Sequence, residues 1–119
     1  MELEILLPHA TLLECRLTTT VLEFGGKDVR RIGDIVKHYQ GKGWDFLSQN
    51  LPDEKKGTSW WQDVRRYAEN FSWPLYRTGG MPTVRPLGGT LEFHTGNRRA
   101  MTLAIRGTQE RIPVILKVD

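Results

Sequence analysis

The sequence has one cysteine, Cys15, so no internal disulfide can form. Cys15 sits in an apolar stretch, where a lone thiol serves as a small core residue. Histidines number three, His9, His38 and His94, and their scattered spacing offers no structural zinc site. No apolar run reaches the ~18 residues of a membrane span. The start, Met1-Glu2-Leu3-Glu4, lacks the basic region of a signal peptide, so a cytoplasmic protein without membrane contact is expected. Low complexity and tandem repeats are also missing. Hydrophobic residues make up 39% and charged residues 26%, a balance that argues against disorder.

What is present fits a single domain over residues 1–119. A chain of this size buries roughly 65% of its unfolded surface, enough for a true core. Net charge is +3. The region from Arg77 to Asp119 carries +4 of it and the rest −1, so the positive excess lies in the C-terminal part. Such an excess suits an anionic partner.

Glu2 to Leu7 and Thr11 to Leu17 read as short strands around Pro8. Thr18 to Phe24 continues in β-branched residues and stops at Gly25-Gly26. Asp28 is placed to cap a helix over Val29 to Gln40, with Val29, Ile32, Ile35, Val36 and Tyr39 as its apolar stripe and Gly41 as its end. Trp44 to Leu47 adds a helical turn, and Asn50 to Gly57 forms a charged loop. Ser59 opens the next helix, with Gln62 in capping-box register. Trp60, Val64, Tyr67 and Phe71 share one face of it, and Arg65 and Arg66 point away. Trp73-Pro74 ends it. Met81 to Pro86 is a short strand. Thr90 to His94 alternates, with Leu91 and Phe93 on one face and Glu92 and His94 on the other. A helix over Asn97 to Arg106 follows, capped by Gly107. Ile112 to Val118 is an almost continuous apolar strand, the kind buried on both faces. The fold class expected is α+β, a small mixed sheet flanked by helices.

The most informative element is the junction Phe93-His94-Thr95-Gly96-Asn97-Arg98-Arg99. A strand that reverses directly into a helix needs a residue tolerant of positive φ, and Gly96 supplies it. The first N–H groups of the helix have no internal acceptor and carry the positive end of the dipole. Arg98 and Arg99 add charge at the same place. Gly96, Asn97, Arg98 and Arg99 are therefore the candidate phosphate site. Glu92 and His94, on one strand face just before the turn, are the candidate general base, proton shuttle or metal ligands. Two adjacent tryptophans, Trp60 and Trp61, cannot both occupy the centre of one stripe. One of them is expected near the surface, where beside Arg65 it would stack a base or meet a partner.

The stretch from Met81 to Val118 resembles the ParB/sulfiredoxin-like superfamily. The resemblance rests on the strand Leu91-Glu92-Phe93, the Gly-x-x-Arg turn Gly96 to Arg99, the Ala-rich helix start, Gly107, and the closing strand Ile112-Pro113-Val114-Ile115. It implies a turn that holds nucleotide phosphates, with Gly96 as the turn glycine and Arg99 as the phosphate arginine. It also implies a nucleotide or nucleic-acid partner, Mg²⁺ arriving with a nucleotide, and hydrolysis of a nucleotide or a phosphodiester. Asn97 stands where sulfiredoxins carry their catalytic cysteine and where partitioning proteins carry glutamate, which argues against both chemistries. The alternative is a non-catalytic interaction module on the same scaffold, with the tryptophan-rich helix as contact face and homodimer formation.

Overall fold

The first and last strands lie side by side. In the computed structural model, which describes residues 1–118, strand β1 (Glu2–Pro8) runs antiparallel to β7 (Arg111–Lys117), with Leu7 opposite Ile112 and Ile5 opposite Val114. The Met1 ammonium donates to the Val118 carbonyl at 2.8 Å. Between them come α1 (His9–Glu14), β2 (Arg16–Leu17), β3 (Glu23–Phe24), β4 (Lys27–Asp28), α2 (Ile32–Gln49), α3 (Trp60–Glu69), α4 (Trp73–Arg77), β5 (Thr83–Leu87), β6 (Thr90–Thr95) and α5 (Asn97–Arg106). Five strands form a mixed sheet in the order β1-β7-β5-β6-β2, and β3 with β4 forms a separate hairpin. The class is α+β, as the sequence implied.

One face of the sheet presents Leu7, Leu17, Val84, Phe93, Ile112 and Val114 to the core. Against them pack Leu12 of α1, Ile32, Ile35, Val36 and Leu47 of α2, Trp60, Trp61 and Val64 of α3, and Ala100, Met101, Leu103 and Ala104 of α5. No helix among the described residues is long and apolar enough to cross a membrane.

Helix α5 has the bounds its punctuation implies, with Gly96 and Gly107 both left-handed at φ 77° and 65°. The N-terminal half departs from expectation. Thr11 to Leu17 is not a strand: His9–Glu14 is helical and only Arg16–Leu17 is extended. Six residues are too few to show helical periodicity, and Leu12 turns fully inward while its neighbours do not. Thr18 to Phe24 is extended only at its end, because Gly25 and Gly26 (φ 62° and 77°) close a two-residue hairpin. That hairpin takes Asp28 into β4, so the helix starts at Ile32 rather than Val29. It also passes Gly41 and continues to Gln49 across a kink at Gly43 (φ 78°).

Ser59 stands at the N-cap of α3 but makes no cap to a backbone N–H; its hydroxyl donates to Asp63 Oδ2 at 3.2 Å. Trp73-Pro74 does not follow a helix but opens one. Proline is preorganised for the first turn, and the Ser72 hydroxyl caps Leu75 N–H at 3.2 Å. In the last strand Ile112, Pro113 and Val114 are buried, while Ile115 and Leu116 are only half-buried, so burial on both faces holds for its first half.

Candidate functional site

Strand β6 is inserted between β5 and the short β2, and its C-terminal end delivers the chain to Gly96. Gly96 sits at the N-cap of α5 with φ 77° and ψ 28°. A Cβ placed there would lie 2.5 Å from Pro82 Cβ, so only glycine fits. The first bond of the α5 ladder runs from Ala100 N–H to the Gly96 carbonyl at 2.9 Å. The N–H groups of Asn97, Arg98 and Arg99 therefore precede the ladder. No side chain caps them, and the first turn has no acidic residue. Two arginines stand there instead, at the positive end of the dipole, where cations destabilise a helix. The arrangement is locally unfavourable and would be relieved by an anion.

Each residue of the turn has a distinct environment. Asn97 Oδ1 accepts from Thr18 N–H at 3.2 Å, and the Thr18 hydroxyl donates to the Phe93 carbonyl, so the segment after β2 is tied to the start of α5. Arg98 is half-exposed; its Nε lies 3.5 Å from Asp63 Oδ2 and its guanidinium 5.5 Å from the Trp60 ring centre. Arg99 reaches the other way. Its Nη1 donates to the carbonyls of Tyr76 (2.6 Å), Thr78 (3.1 Å) and Gly80. Among the described residues it has no carboxylate partner. Burial pushes its guanidinium below the usual arginine range, and Tyr76 and Tyr67 oppose that shift. Burial likewise pushes the Tyr76 phenol well above its ordinary value, against the pull of Arg99 and Arg77. That phenol donates to the Pro113 carbonyl at 2.7 Å.

These residues open onto a cavity of about 420 Å³. Gly96, Asn97, Arg98, Arg99 and Thr102 form its α5 wall. Trp60, Tyr67 and Phe71 supply an aromatic wall from α3 and the turn after it. Leu75, Tyr76 and Thr78 close one side, and Thr19 and Lys55 complete the rim. The charged lining groups are Lys55, Arg98 and Arg99; no carboxylate or imidazole lines the cavity among the described residues.

The candidate phosphate residues are thus brought together, and the others are not. Glu92 and His94 project from the sheet face opposite to buried Phe93 and do not reach the cleft. Glu92 lies 3.9 Å from Arg85 instead. The expectation that one of the paired tryptophans is near the surface is corrected: Trp60 is 3% exposed and Trp61 fully buried. Helix α3 is packed by α5 on one side and α2 on another, so two adjacent positions are both covered. Trp61 Nε1 donates to the Val21 carbonyl at 2.9 Å, which removes it from any stacking role. Trp60 keeps only an edge on the cleft. Arg65 is paired with Glu69 at 3.1 Å on the exposed side of α3, away from the cleft.

Lys55, Tyr67, Phe71 and Tyr76 were not singled out as site residues from sequence. Tyr67 and Phe71 read as part of an apolar stripe, and Lys55 as one cation in a charged loop. Comparison with family models, with curated proteins and with solved structures finds no match for this chain.

Proposed function

We propose that the cleft at the start of α5 binds a phosphate-bearing ligand, and that a mononucleotide is the class it suits best. The observation that carries this reading is the pairing of an uncapped helix start with a lining whose charges, among the described residues, are all cationic. Open N–H groups and arginine forks are what a phosphate needs. The aromatic wall supports the choice of a nucleotide over bare phosphate, since a base gains from stacking on an aromatic ring. A volume of about 420 Å³ falls within the ~300–1,000 Å³ of small-molecule sites. A nucleic-acid backbone would call for an extended cationic track instead, and the outward-facing Arg65 and Arg66 are occupied by Glu69 and Asp63.

The ParB/sulfiredoxin-like resemblance belongs to the same proposal. Its turn glycine would be Gly96, and the strand, turn, helix and strand from β6 to β7 follow in the order it requires. Arg99 would serve that role with Nε and Nη2, because Nη1 is committed to the carbonyls of residues 76 to 80.

Binding is favoured over hydrolysis. General acid–base catalysis needs a titrating group within hydrogen-bond reach of the reacting atoms, and Glu92 and His94 lie across the sheet from the cleft. Cations and aromatic rings do not suit Mg²⁺, which prefers carboxylate and water oxygens, so no step is assigned to a protein-held metal. The interaction-module alternative loses its contact face with the burial of Trp60 and Trp61.

The test is a thermal-shift screen of ATP, ADP, CTP and GTP, with and without Mg²⁺, on the natural chain and on Arg98→Ala. A ligand at ~100 times its dissociation constant stabilises by ~2.7 kcal/mol. Stabilisation that Arg98→Ala removes supports the proposal. No stabilisation by any nucleotide, or equal stabilisation of both proteins, overturns it.

A further inference from the structure

The outer face of the sheet carries a row of charges that crosses all five strands. Arg16 stands opposite Glu92 across β2 and β6, Arg85 opposite Glu92 across β5 and β6, and Glu2 opposite Lys117 across β1 and β7. In the parallel pair β5–β7, Val84 stands opposite Leu116, so Arg85 and Lys117 follow side by side. The row therefore reads cation, carboxylate, cation, cation, carboxylate. Alternation of sign fails at one step only, where Arg85 meets Lys117. Like charges adjacent across a strand pair are destabilising. Each has its carboxylate on the far side and at the limit of pairing distance, 3.9 Å for Arg85–Glu92 and 3.9 Å for Lys117–Glu2. Both side chains stay about half-exposed.

A second cavity, of about 270 Å³, lies at that step, lined by Arg85, Pro86, His94, Lys117 and Val118. Among the described residues no carboxylate lines it. His94 reaches it because β6 bulges there: Thr83 stands opposite Thr95 and Val84 opposite Phe93, which leaves His94 as the extra residue. Bulges re-aim side chains, and this one adds an imidazole to a cationic pair. None of these lining residues is shared with the α5 cleft.

We infer that this pocket is a second anion site, which binds a small tetrahedral oxyanion: orthophosphate or the phosphate group of a small monoester. Arg85 supplies a planar fork, Lys117 a point charge and His94 a ring N–H donor, three converging donors for the oxygens of one such group. The site does not depend on the reading of the α5 cleft.

The experiment is an NMR titration of the ¹⁵N-labelled full chain with sodium phosphate, against sodium chloride at matched ionic strength. Saturable shifts at the amides of Arg85, His94 and Lys117 that chloride does not reproduce are expected. Arg85→Gln should weaken binding about tenfold, the usual weight of one charge-assisted hydrogen bond. Glu92→Gln, which frees Arg85 from its carboxylate, should tighten it. Arg85 and Lys117 are about half-exposed and Glu92 is partly buried, and circular dichroism of each variant checks the fold. Glycerol phosphate forms the second arm: tighter binding than orthophosphate assigns the monoester, weaker binding the free ion. Shifts equal to those with chloride, or an affinity unchanged in both Arg85→Gln and Lys117→Gln, overturn the inference. Shifts at Asn97 to Arg99 report the other cleft in the same spectra, so the two sites succeed or fail separately.

Discussion

Gly96 and Pro82 are in direct contact, and the start of α5 is placed by it. A Cβ on Gly96 would fall 2.5 Å from Pro82 Cβ and 2.8 Å from Pro82 Cα. Gly96→Ala therefore meets two costs. The left-handed conformation strains any residue with a Cβ by roughly 1–2 kcal/mol, and overpacking adds about 1–3 kcal/mol. The expected loss is about 2–5 kcal/mol, which lowers Tm by about 10–20 °C in a chain of this size. Thermal denaturation followed by circular dichroism measures it. A Tm close to that of the natural protein would show that Pro82 gives way easily and that the turn is loosely held.

Arg98 and Arg99 are neighbours in sequence with different duties, so their variants should separate. Arg99 ties the Tyr76, Thr78 and Gly80 carbonyls to α5. Arg99→Ala should lower stability by about 1.5–3 kcal/mol, the weight of hydrogen bonds to a charged group, and should speed amide exchange in residues 78 to 80. Arg98 is half-exposed and paired only at 3.5 Å. Arg98→Ala should change stability by less than about 1 kcal/mol, as surface ion pairs do, while it weakens ligand binding. Equal melting temperatures for the two variants would contradict this division, and would make the three carbonyl contacts of Arg99 energetically idle.

Much of this division lay beyond what sequence could reveal. The bounds of α5 were legible because two glycines punctuate them and the chemistry of each cap is local. The same holds for β6, whose alternation from Thr90 to His94 is a property of five consecutive residues. The Gly96 to Arg99 turn could be found for the same reason. The rest of the cleft could not. Lys55, Tyr67, Phe71 and Tyr76 reach it from three other segments, and only packing brings them together. Helix α1 escaped because six residues carry no period. The kinked α2 escaped because glycine signals both an end and a bend, and Gly43 makes the bend. The paired tryptophans misled because burial on two sides of α3 depends on α2 and α5, which no pattern within α3 records.

The burial of both tryptophans is itself testable. Acrylamide quenching should leave the Trp60 and Trp61 contribution to fluorescence largely shielded, with Trp44 and Trp73 more accessible, since the first two are 3% and 0% exposed. Trp61→Phe removes the bond to the Val21 carbonyl and leaves that acceptor buried without a donor. An unsatisfied buried group costs about 1–3 kcal/mol, and the smaller ring adds a cavity term. Chemical denaturation should therefore show a loss of at least about 2 kcal/mol. A loss confined to a few tenths would mean that the indole bond is not made in solution.

Glu92 and His94 stand on the sheet face away from the cleft, and their variants should say so. Glu92→Gln and His94→Ala are expected to leave nucleotide affinity at the α5 cleft unchanged, measured by isothermal titration calorimetry. Arg98→Ala in the same series should reduce it about tenfold, the effect of about 1.4 kcal/mol. A tenfold loss in either Glu92→Gln or His94→Ala would show that the two faces communicate and would return these residues to the site.

The pH dependence of stability should show a loss on the alkaline side. Cys15 is buried, and its Sγ–H donates to the Thr11 carbonyl at 3.3 Å. Burial first, and the Glu14 charge second, push its thiol from the ordinary 9.0 up to about 11. The folded state therefore holds its proton more tightly than the unfolded state does. The stability this represents is complete below pH 9 and is lost as pH rises from 9 towards 11. At about 1.4 kcal/mol per unit, the loss amounts to at most about 3 kcal/mol. Tyr76, whose phenol burial also raises, adds a loss of the same sign that begins above pH 10. Urea denaturation at intervals from pH 8 to 11 should trace the decline, and Cys15→Ala should make it shallower between 9 and 10, before Tyr76 contributes. Identical slopes for the two proteins in that interval would show that the thiol titrates alike in folded and unfolded chains, and that Cys15 is in contact with water.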